Sequence, residues 1–384
     1  MELTQSLQCL QPSYIREILA VAGDPNTISL AGGLPAEQSF PMPIFQSIMS
    51  QLANDSSLFQ YGPTQGYAPL LDYCDQHFSL SPTDQSLVTT GSQQGLDLIA
   101  RAYLNPSDGI VMEAPSYLGA VQVFELAQAR IIPVDQTSDG PDLTQLEQCF
   151  AQHSPKLFYA VPDFHNPTGV CWSLAVRKQV AQLCRRYDVV LIEDAPYREL
   201  RFAGEMLPMV SELCPEQAIV LRSFSKYASP GIRLGVITGE SHYIHPLITL
   251  KQASDLHSSL PMQALLLGLL THDHFPQHLQ AIRALYESRY KILASAIAEY
   301  LPDSCSAWPI EGGMFLWLIL PTCDVNTLAK TLLKNGVAVV PSSVFYPAHM
   351  EGSYSALRLN FTNAEPEALV KAVSRMASAL AGEV

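Results

Sequence analysis

Short, continuously apolar runs alternate with longer amphipathic stretches through the middle of this chain. The strand-like runs cover residues 87–90, 110–113, 131–134, 157–161, 189–193, 219–222 and 234–238. Between them, residues 96–104, 117–128, 143–152 and 174–187 space their apolar side chains as a helix with one buried face does. Alternation of this kind builds crossover units, and hence a mostly parallel, doubly wound sheet with helices on both faces. Strands covered on both sides read as unbroken apolar runs, which is the pattern here.

After about Pro276 the rhythm changes. A long helical segment runs to about Tyr300, followed by strand-like runs at 314–320, 337–340 and 356–361 and two helices. This reads as an α+β second domain. The start of the chain carries one predicted helix, 14–22, and then the turn Ala31-Gly32-Gly33-Leu34-Pro35. It is too short to fold alone and is expected to join the second domain. The expected division is an N-terminal segment at 1–45, a large α/β domain at 46–285 and a small α+β domain at 286–384.

Composition supports two domains, because 384 residues, 48% of them hydrophobic, exceed what one ordinary core holds. Charge narrows the partners. With 36 acidic against 22 basic residues, a net −14, no basic patch for nucleic acid can be assembled. An anionic small ligand is still allowed, since one pocket needs only a few cations. The eight cysteines form no CxxC pair and read as free thiols of a reducing cytosol. The opening Met1-Glu2-Leu3-Thr4-Gln5 lacks a basic, then apolar, leader, so no secretory signal is expected. The most apolar stretch, 260–270, is short and contains Pro261 and Gln263, which fits a buried helix rather than a membrane span. A cytoplasmic protein without nucleic-acid or membrane partners is expected.

Polar clusters fall at the C-terminal ends of the predicted strands, where open parallel sheets bind ligands. Gly91-Ser92-Gln93-Gln94-Gly95 leaves backbone N–H groups at a helix N-terminus, an anion site, although a plain turn with Ser92 as N-cap reads equally well alone. Asn166-Pro167-Thr168-Gly169 is by itself a turn. Glu193-Asp194-Ala195-Pro196-Tyr197 ends a strand on a carboxylate, a position for a functional acid or for an N-cap. Ser223-Phe224-Ser225-Lys226, followed by Pro230-Gly231-Ile232-Arg233-Leu234-Gly235, gathers two hydroxyls, a lysine and an arginine at the end of an apolar strand. A lysine among phosphate-binding groups suggests an aldehyde-phosphate cofactor. Such a cofactor needs an amine of lowered pKa to form an imine and move protons. It also needs a carboxylate for its ring nitrogen and arginine, hydroxyls and helix N–H groups for its phosphate.

These motifs together resemble the aminotransferase class I/II family of fold-type-I pyridoxal-phosphate enzymes. Within it the sequence is most similar to the 2-aminoadipate and kynurenine aminotransferase branch, which also resembles the aminotransferase-like half of MocR-type regulators. The resemblance runs from Ser13-Tyr14-Ile15-Arg16-Glu17-Ile18-Leu19 to Leu357-Arg358-Leu359-Asn360-Phe361. It includes Ser29-Leu30-Ala31-Gly32-Gly33-Leu34-Pro35, Gln60-Tyr61-Gly62-Pro63-Thr64-Gln65-Gly66-Tyr67, the Gly-Ser-Gln-Gln-Gly turn and Ser-Phe-Ser-Lys.

The resemblance implies a fold-type-I, doubly wound, mostly parallel seven-stranded sheet with a smaller α+β domain. The cofactor would be pyridoxal 5'-phosphate and the reaction amino transfer between an L-amino acid and a 2-oxo acid. Lys226 would carry the imine and shuttle the proton. Asp194 would pair with the pyridine nitrogen, Asn166 and Tyr197 with the phenolate oxygen, and Tyr117 would stack on the ring. Ser92, Gln93, Ser223, Ser225 and Arg233 would bind the phosphate. Tyr61 would reach the phosphate of a neighbouring subunit, making a homodimer with shared sites. Arg358 would grip the substrate α-carboxylate, and Gly33 would let the substrate approach the backbone. Arg16 reads as a surface residue or, by the resemblance, as facing the substrate side chain.

Two departures bear on substrate preference rather than on the cofactor. His165 stands where the family usually has Gln, and Tyr227-Ala228-Ser229 replaces the commoner Thr-Leu-Ala. His272, Asp273, His274 and His278 are expected in a solvated loop between two helices, with no metal. Trp172, Trp308 and Trp317 are expected to pack rather than to stack on bases. Other chemistry on the same scaffold, β-elimination or racemisation, stays open because the same lysine and ring would serve it. A non-catalytic MocR-like effector domain is the remaining alternative. The chain opens almost directly on the aminotransferase segment, so no DNA-reading domain is expected.

Overall fold

Alternate residues of single strands face two different cores. Ile110 and Met112 enter one hydrophobic cluster, while Val111 between them enters another. Leu157 and Tyr159 likewise part from Phe158 and Ala160, and Ile192 from Leu191. Successive side chains of a strand point to opposite faces, so both faces of this sheet are covered.

The structure is a computed structural model that describes residues 4–8, 18, 26–347 and 355–381. Arg16 and, except for Ile18, the helix expected at 14–22 lie outside the described residues. Among the described residues the large sheet orders Asp84–Thr89, Gly235–Glu240, Ala218–Ser223, Val190–Asp194, Leu157–Ala160, Gly109–Ala114, Arg130–Thr137 and Gly140–Pro141. The seven runs read from the sequence all stand here. The two-residue Gly140–Pro141 strand adds an eighth, antiparallel edge too short to be read as apolar periodicity. The five central strands from Ala218–Ser223 to Arg130–Thr137 are parallel. Gly235–Glu240 runs antiparallel to both its neighbours.

Crossover helices start and stop where local chemistry dictates. Leu174–Tyr187 begins on Ser173, whose hydroxyl accepts from Val176 N, carries Arg185 and Arg186 in its last turn, and ends at Asp188 with φ 54°. Leu143–His153 begins on Asp142, which accepts from Gln145 N. These caps satisfy terminal N–H groups, and the basic last turn suits the helix dipole.

A second, antiparallel sheet orders Ser306–Ala307, Phe315–Ile319, Ala356–Asn360 and Val340–Pro341. Helices Phe275–Tyr300 and Pro366–Ala381 pack on each other beside it. Ile28–Ser29 pairs in parallel with Val337–Ala338, and Leu30 O accepts from Asn360 N at 2.8 Å. The N-terminal stretch is thereby stitched to the second sheet, which brings Gly33 to the large sheet's edge. One sequence expectation changes. His278 lies within the Phe275–Tyr300 helix, not in the loop before it, and its Nε2 bonds Tyr227 O at 2.7 Å. The loop keeps only His272, Asp273 and His274, because Pro276 is tolerated in the first turn of the helix.

Candidate active site

The ends of the parallel strands open into one cavity of about 540 Å³. Asp194 closes Val190–Asp194, Ser223 closes Ala218–Ser223, and Asn166 and Tyr117 follow Leu157–Ala160 and Gly109–Ala114. Arg233 reaches the same edge for a different reason. Its strand runs antiparallel, with Gly235 opposite both Thr89 and Ser223, so the start of that strand meets the ends of the others. Among the described residues, every sequence-predicted site residue except Tyr61 lines this cavity. Tyr61 is 80% exposed and stands edge-on to His257, with ring centroids 5.9 Å apart. Arg16 lies outside the described residues.

At one end the backbone is laid bare. Gly91, at φ 77°, precedes helix Ser92–Tyr103, so Ser92 is its first residue rather than its N-cap. A Cβ on Gly91 would stand 2.8 Å from Arg233 Nη2, and one on Gly235 2.8 Å from Ser92 N. Only glycine lets the guanidinium and the helix N-terminus approach so closely. The first N–H groups of a helix have no intrahelical acceptor, so this end is built for an anion.

Lys226 stands between that cradle and the second sheet. Its Nζ donates to Gly33 O at 2.9 Å. Burial, then the nearby Arg358 and Arg233 charges, lower its pKa to about 8. Asp194 is 2% exposed. Its Oδ2 accepts from Tyr159 Oη at 2.9 Å, while its Oδ1 has no hydrogen-bond partner among the described residues. Burial raises this carboxyl to about 7 against the opposing Tyr159 hydrogen bond. A cationic N–H donor at Oδ1 would reverse that penalty.

Arg358, on strand Ala356–Asn360, is 1% exposed. Nη1 donates to Asn166 Oδ1 at 2.9 Å and Nη2 to Ala31 O, while Nε is unpartnered. Among the described residues no carboxylate lies within ion-pair distance of it. Phe315 and Phe345 instead place their rings 4.4 and 5.1 Å from its guanidinium carbon. Because Asn166 Oδ1 serves Arg358, its Nδ2 faces Tyr197 Oη at 3.4 Å. Tyr117 Oη donates to Gln93 Oε1 at 3.2 Å.

The Asn166 loop is braced from behind. Asp163 binds Arg177 at 2.7 Å and Arg198 at 2.9 Å. His165 bonds Thr168 Oγ1 at 3.1 Å through Nδ1, and its Nε2 stands 3.8 Å from Glu113 Oε2. Burial holds His165 neutral, at about 3, and pushes Glu113 up to about 8. His165 therefore belongs to the packing under the loop and does not line the cavity.

Sequence reasoning missed Tyr159, Phe315 and Gln122, which also line the cavity. Tyr159 and Phe315 sit inside apolar strand runs, where an aromatic residue is the ordinary expectation. Trp172 and Trp317 are fully buried. Among the described residues no group of three or more His, Cys, Asp or Glu is placed to hold a metal, and no helix is long and apolar enough to cross a membrane.

An amine, an unpartnered carboxylate oxygen and an anion cradle in one cavity fit an aldehyde-phosphate group with a basic ring nitrogen. Set on the edge of a doubly wound sheet, they define a pyridoxal-phosphate-dependent enzyme of fold type I. The description "Aminotransferase class I and II" belongs to a family model that matches residues 30–376. The chain is 34% identical over 380 residues to the 2-aminoadipate transaminase of Thermus thermophilus, covering 97% of this chain and 95% of that one. The kynurenine aminotransferase of Pyrococcus horikoshii, solved in complex with PMP, superposes with a TM-score of 0.94 at 32% identity, over 100% of this chain and 97% of that one. An α-aminoadipate aminotransferase of Thermus thermophilus complexed with N-(5'-phosphopyridoxyl)-L-leucine gives a TM-score of 0.92 at 34% identity, over 99% and 97%. The chain belongs to the class I and II aminotransferases; it is a transaminase whose cofactor is pyridoxal 5'-phosphate.

Proposed function

We propose that this cavity exchanges the amino group of an L-amino acid for the oxo group of a 2-oxo acid, with Lys226 as the proton-transferring base. The observation that carries the reading is Arg358, a buried guanidinium with no carboxylate partner among the described residues, in the same cavity as the Lys226 amine. A buried cation of that kind is stabilised by an anionic substrate group. When bound, pyridoxal phosphate supplies a ring that draws off the electrons left when the substrate α-proton departs.

The protein's own residues do the rest. Asp194 Oδ1 would accept the ring N–H, with Tyr159 keeping Oδ2 oriented. Ser92, Gln93, Ser223, Ser225 and Arg233 bind the phosphate. Tyr117 would cover the ring, and Asn166 Nδ2 and Tyr197 Oη would donate to its phenolate oxygen. Lys226, with its lowered pKa, accepts and returns a proton near neutral pH. Arg358 fixes the α-carboxylate bidentately, and Gly33 leaves room for the substrate beside the backbone. Arg16 would face the side chain. Residues 46–285 would form the cofactor domain, with 1–45 and 286–384 forming the smaller one.

Asp194→Ala is expected to lower kcat about 10²–10³-fold, the scale of a lost electrostatic stabiliser, without altering the circular-dichroism spectrum. Near-normal turnover would reduce Asp194 to a strand-end residue.

The same reading makes the enzyme a cytoplasmic homodimer in which Tyr61 completes the partner's phosphate site. The exposed neighbours Phe59 and Leu256 suit a buried subunit contact. Light scattering should find a dimer, and Tyr61→Phe should speed cofactor loss on dialysis. An active monomer would refute the assignment.

A further inference from the structure

Behind the phosphate cradle lies a buried lysine that the reaction does not use. Lys251, in the last turn of helix Ser241–Ser254, is fully buried. Its Nζ donates to Asp255 Oδ1 at 2.7 Å, to Asp255 Oδ2 at 2.9 Å and to Gln94 Oε1 at 3.1 Å. Three acceptors match the three protons of an ammonium group. An ordinary i,i+4 pair on a helix lies in water and contributes little. Here the lysine is turned inward, while Asp255, at the helix C-cap, stays partly open to solvent with its side chain 31% exposed, and the pair is joined to a second helix.

The joint is Gln94, in the first turn of helix Ser92–Tyr103. Its Nε2 donates to Asp255 Oδ2 at 2.7 Å, and its Oε1 accepts from Thr90 N at 2.8 Å as well as from Lys251. Thr90 is thus pinned through its backbone N–H. Its hydroxyl lies 3.4 Å from Asp255 Oδ2 and 3.3 Å from Ser258 Oγ. Its carbonyl accepts from Arg233 Nη2 at 3.4 Å. The chain of bonds therefore runs from Lys251 through Gln94 to the two elements that form the anion cradle, the Thr90–Gly91 turn and Arg233.

We infer that Lys251, Asp255 and Gln94 form a support that sets the position of the phosphate cradle, with Lys251 as a positioning residue. Lys251 and Asp255 neutralise each other, so the support acts by geometry and not by adding attraction for an anion. The buried Lys251 ammonium fixes the arrangement, because moving Gln94 or Asp255 away from it would leave a charge unpaired inside the protein. A cradle of bare N–H groups beside a left-handed glycine needs such a constraint. The inference rests on reading Ser92, Gln93 and Arg233 as the phosphate site.

The test compares pyridoxal phosphate with pyridoxal, which keeps the aldehyde and ring but lacks the phosphate. Full-length apoprotein is titrated with each and followed by absorbance. In Lys251→Met, affinity for pyridoxal phosphate should fall about tenfold or more, the scale of losing an outer supporting partner, while that for pyridoxal stays within about twofold. Gln94→Met keeps the Lys251–Asp255 pair and removes the Gln94 bridge from that pair to the Thr90 backbone N–H, so it serves if Lys251→Met fails to fold. It should show the same selective loss. Equal losses for both ligands would make the cluster a plain stability element, and unchanged affinities would remove any role; either result overturns the inference. Should the unaltered protein itself bind both ligands alike, the phosphate-site reading falls instead.

Discussion

Lys226→Ala is expected to abolish turnover, by about 10⁴-fold or more, the upper range for a positioned acid–base group. Lys226 is the lysine that lines the cavity, and it stands between the anion cradle and Arg358. Borohydride added to the yellow holoenzyme should fix the cofactor to the peptide containing Lys226, and label elsewhere would sink the assignment. The environment adds a pH signature. Burial, with Arg358 and Arg233, holds the amine at about 8 instead of the ~10.4 of a free lysine. Below that value the amine is protonated and not nucleophilic; above it the free base attacks. The rate of cofactor capture by apoprotein should therefore rise with pH through about 8 and then level. A midpoint near 10 would mean that the amine is solvated.

Arg358→Lys is expected to cut kcat/KM for every amino donor by about 2–4 kcal/mol, because all α-amino acids present the same carboxylate. The geometry explains why lysine is a poor replacement. The guanidinium is held between Asn166 Oδ1, Ala31 O and the rings of Phe315 and Phe345. A planar fork can satisfy two neutral acceptors and still offer an edge to a carboxylate, whereas an ammonium cannot. The check is kcat/KM for glutamate, 2-aminoadipate, leucine and phenylalanine, which should fall together. Loss confined to one donor class would place Arg358 at the side chain instead. Arg16→Ala is the contrast, expected to weaken acidic donors selectively.

Most of this site was legible because its residues fall in short motifs at strand ends, where a parallel sheet places its ligands. Asp194 and Ser92 follow their apolar runs by a residue or two, and Lys226 and Asn166 by four or five, so the strand ends alone bring all of them to one edge. Tyr159 and Phe315 carried no such mark. Each lies within an apolar strand, and what makes it part of the site is a neighbour far away in sequence, Asp194 Oδ2 for one and the Arg358 guanidinium for the other. Lys251 was hidden for a related reason. Its four-residue spacing to Asp255 carries no sign of burial, and its contact with Gln94, 157 residues away in sequence, shows only in the fold. The Gly140–Pro141 edge was too short to leave a period, and the place of His278 turned on which residue beside Pro276 opened the helix.

A single half-reaction tests the central claim most directly. Holoenzyme is mixed with a saturating L-amino acid and no 2-oxo acid, and products are separated after denaturation. The expected result is about one equivalent of 2-oxo acid per Lys226 site, with the cofactor recovered as pyridoxamine phosphate and no further turnover until an oxo acid is added. Recovery of unchanged pyridoxal phosphate together with continuous release of ammonia, or with accumulation of the D-amino acid, would contradict it and assign the cavity to elimination or racemisation.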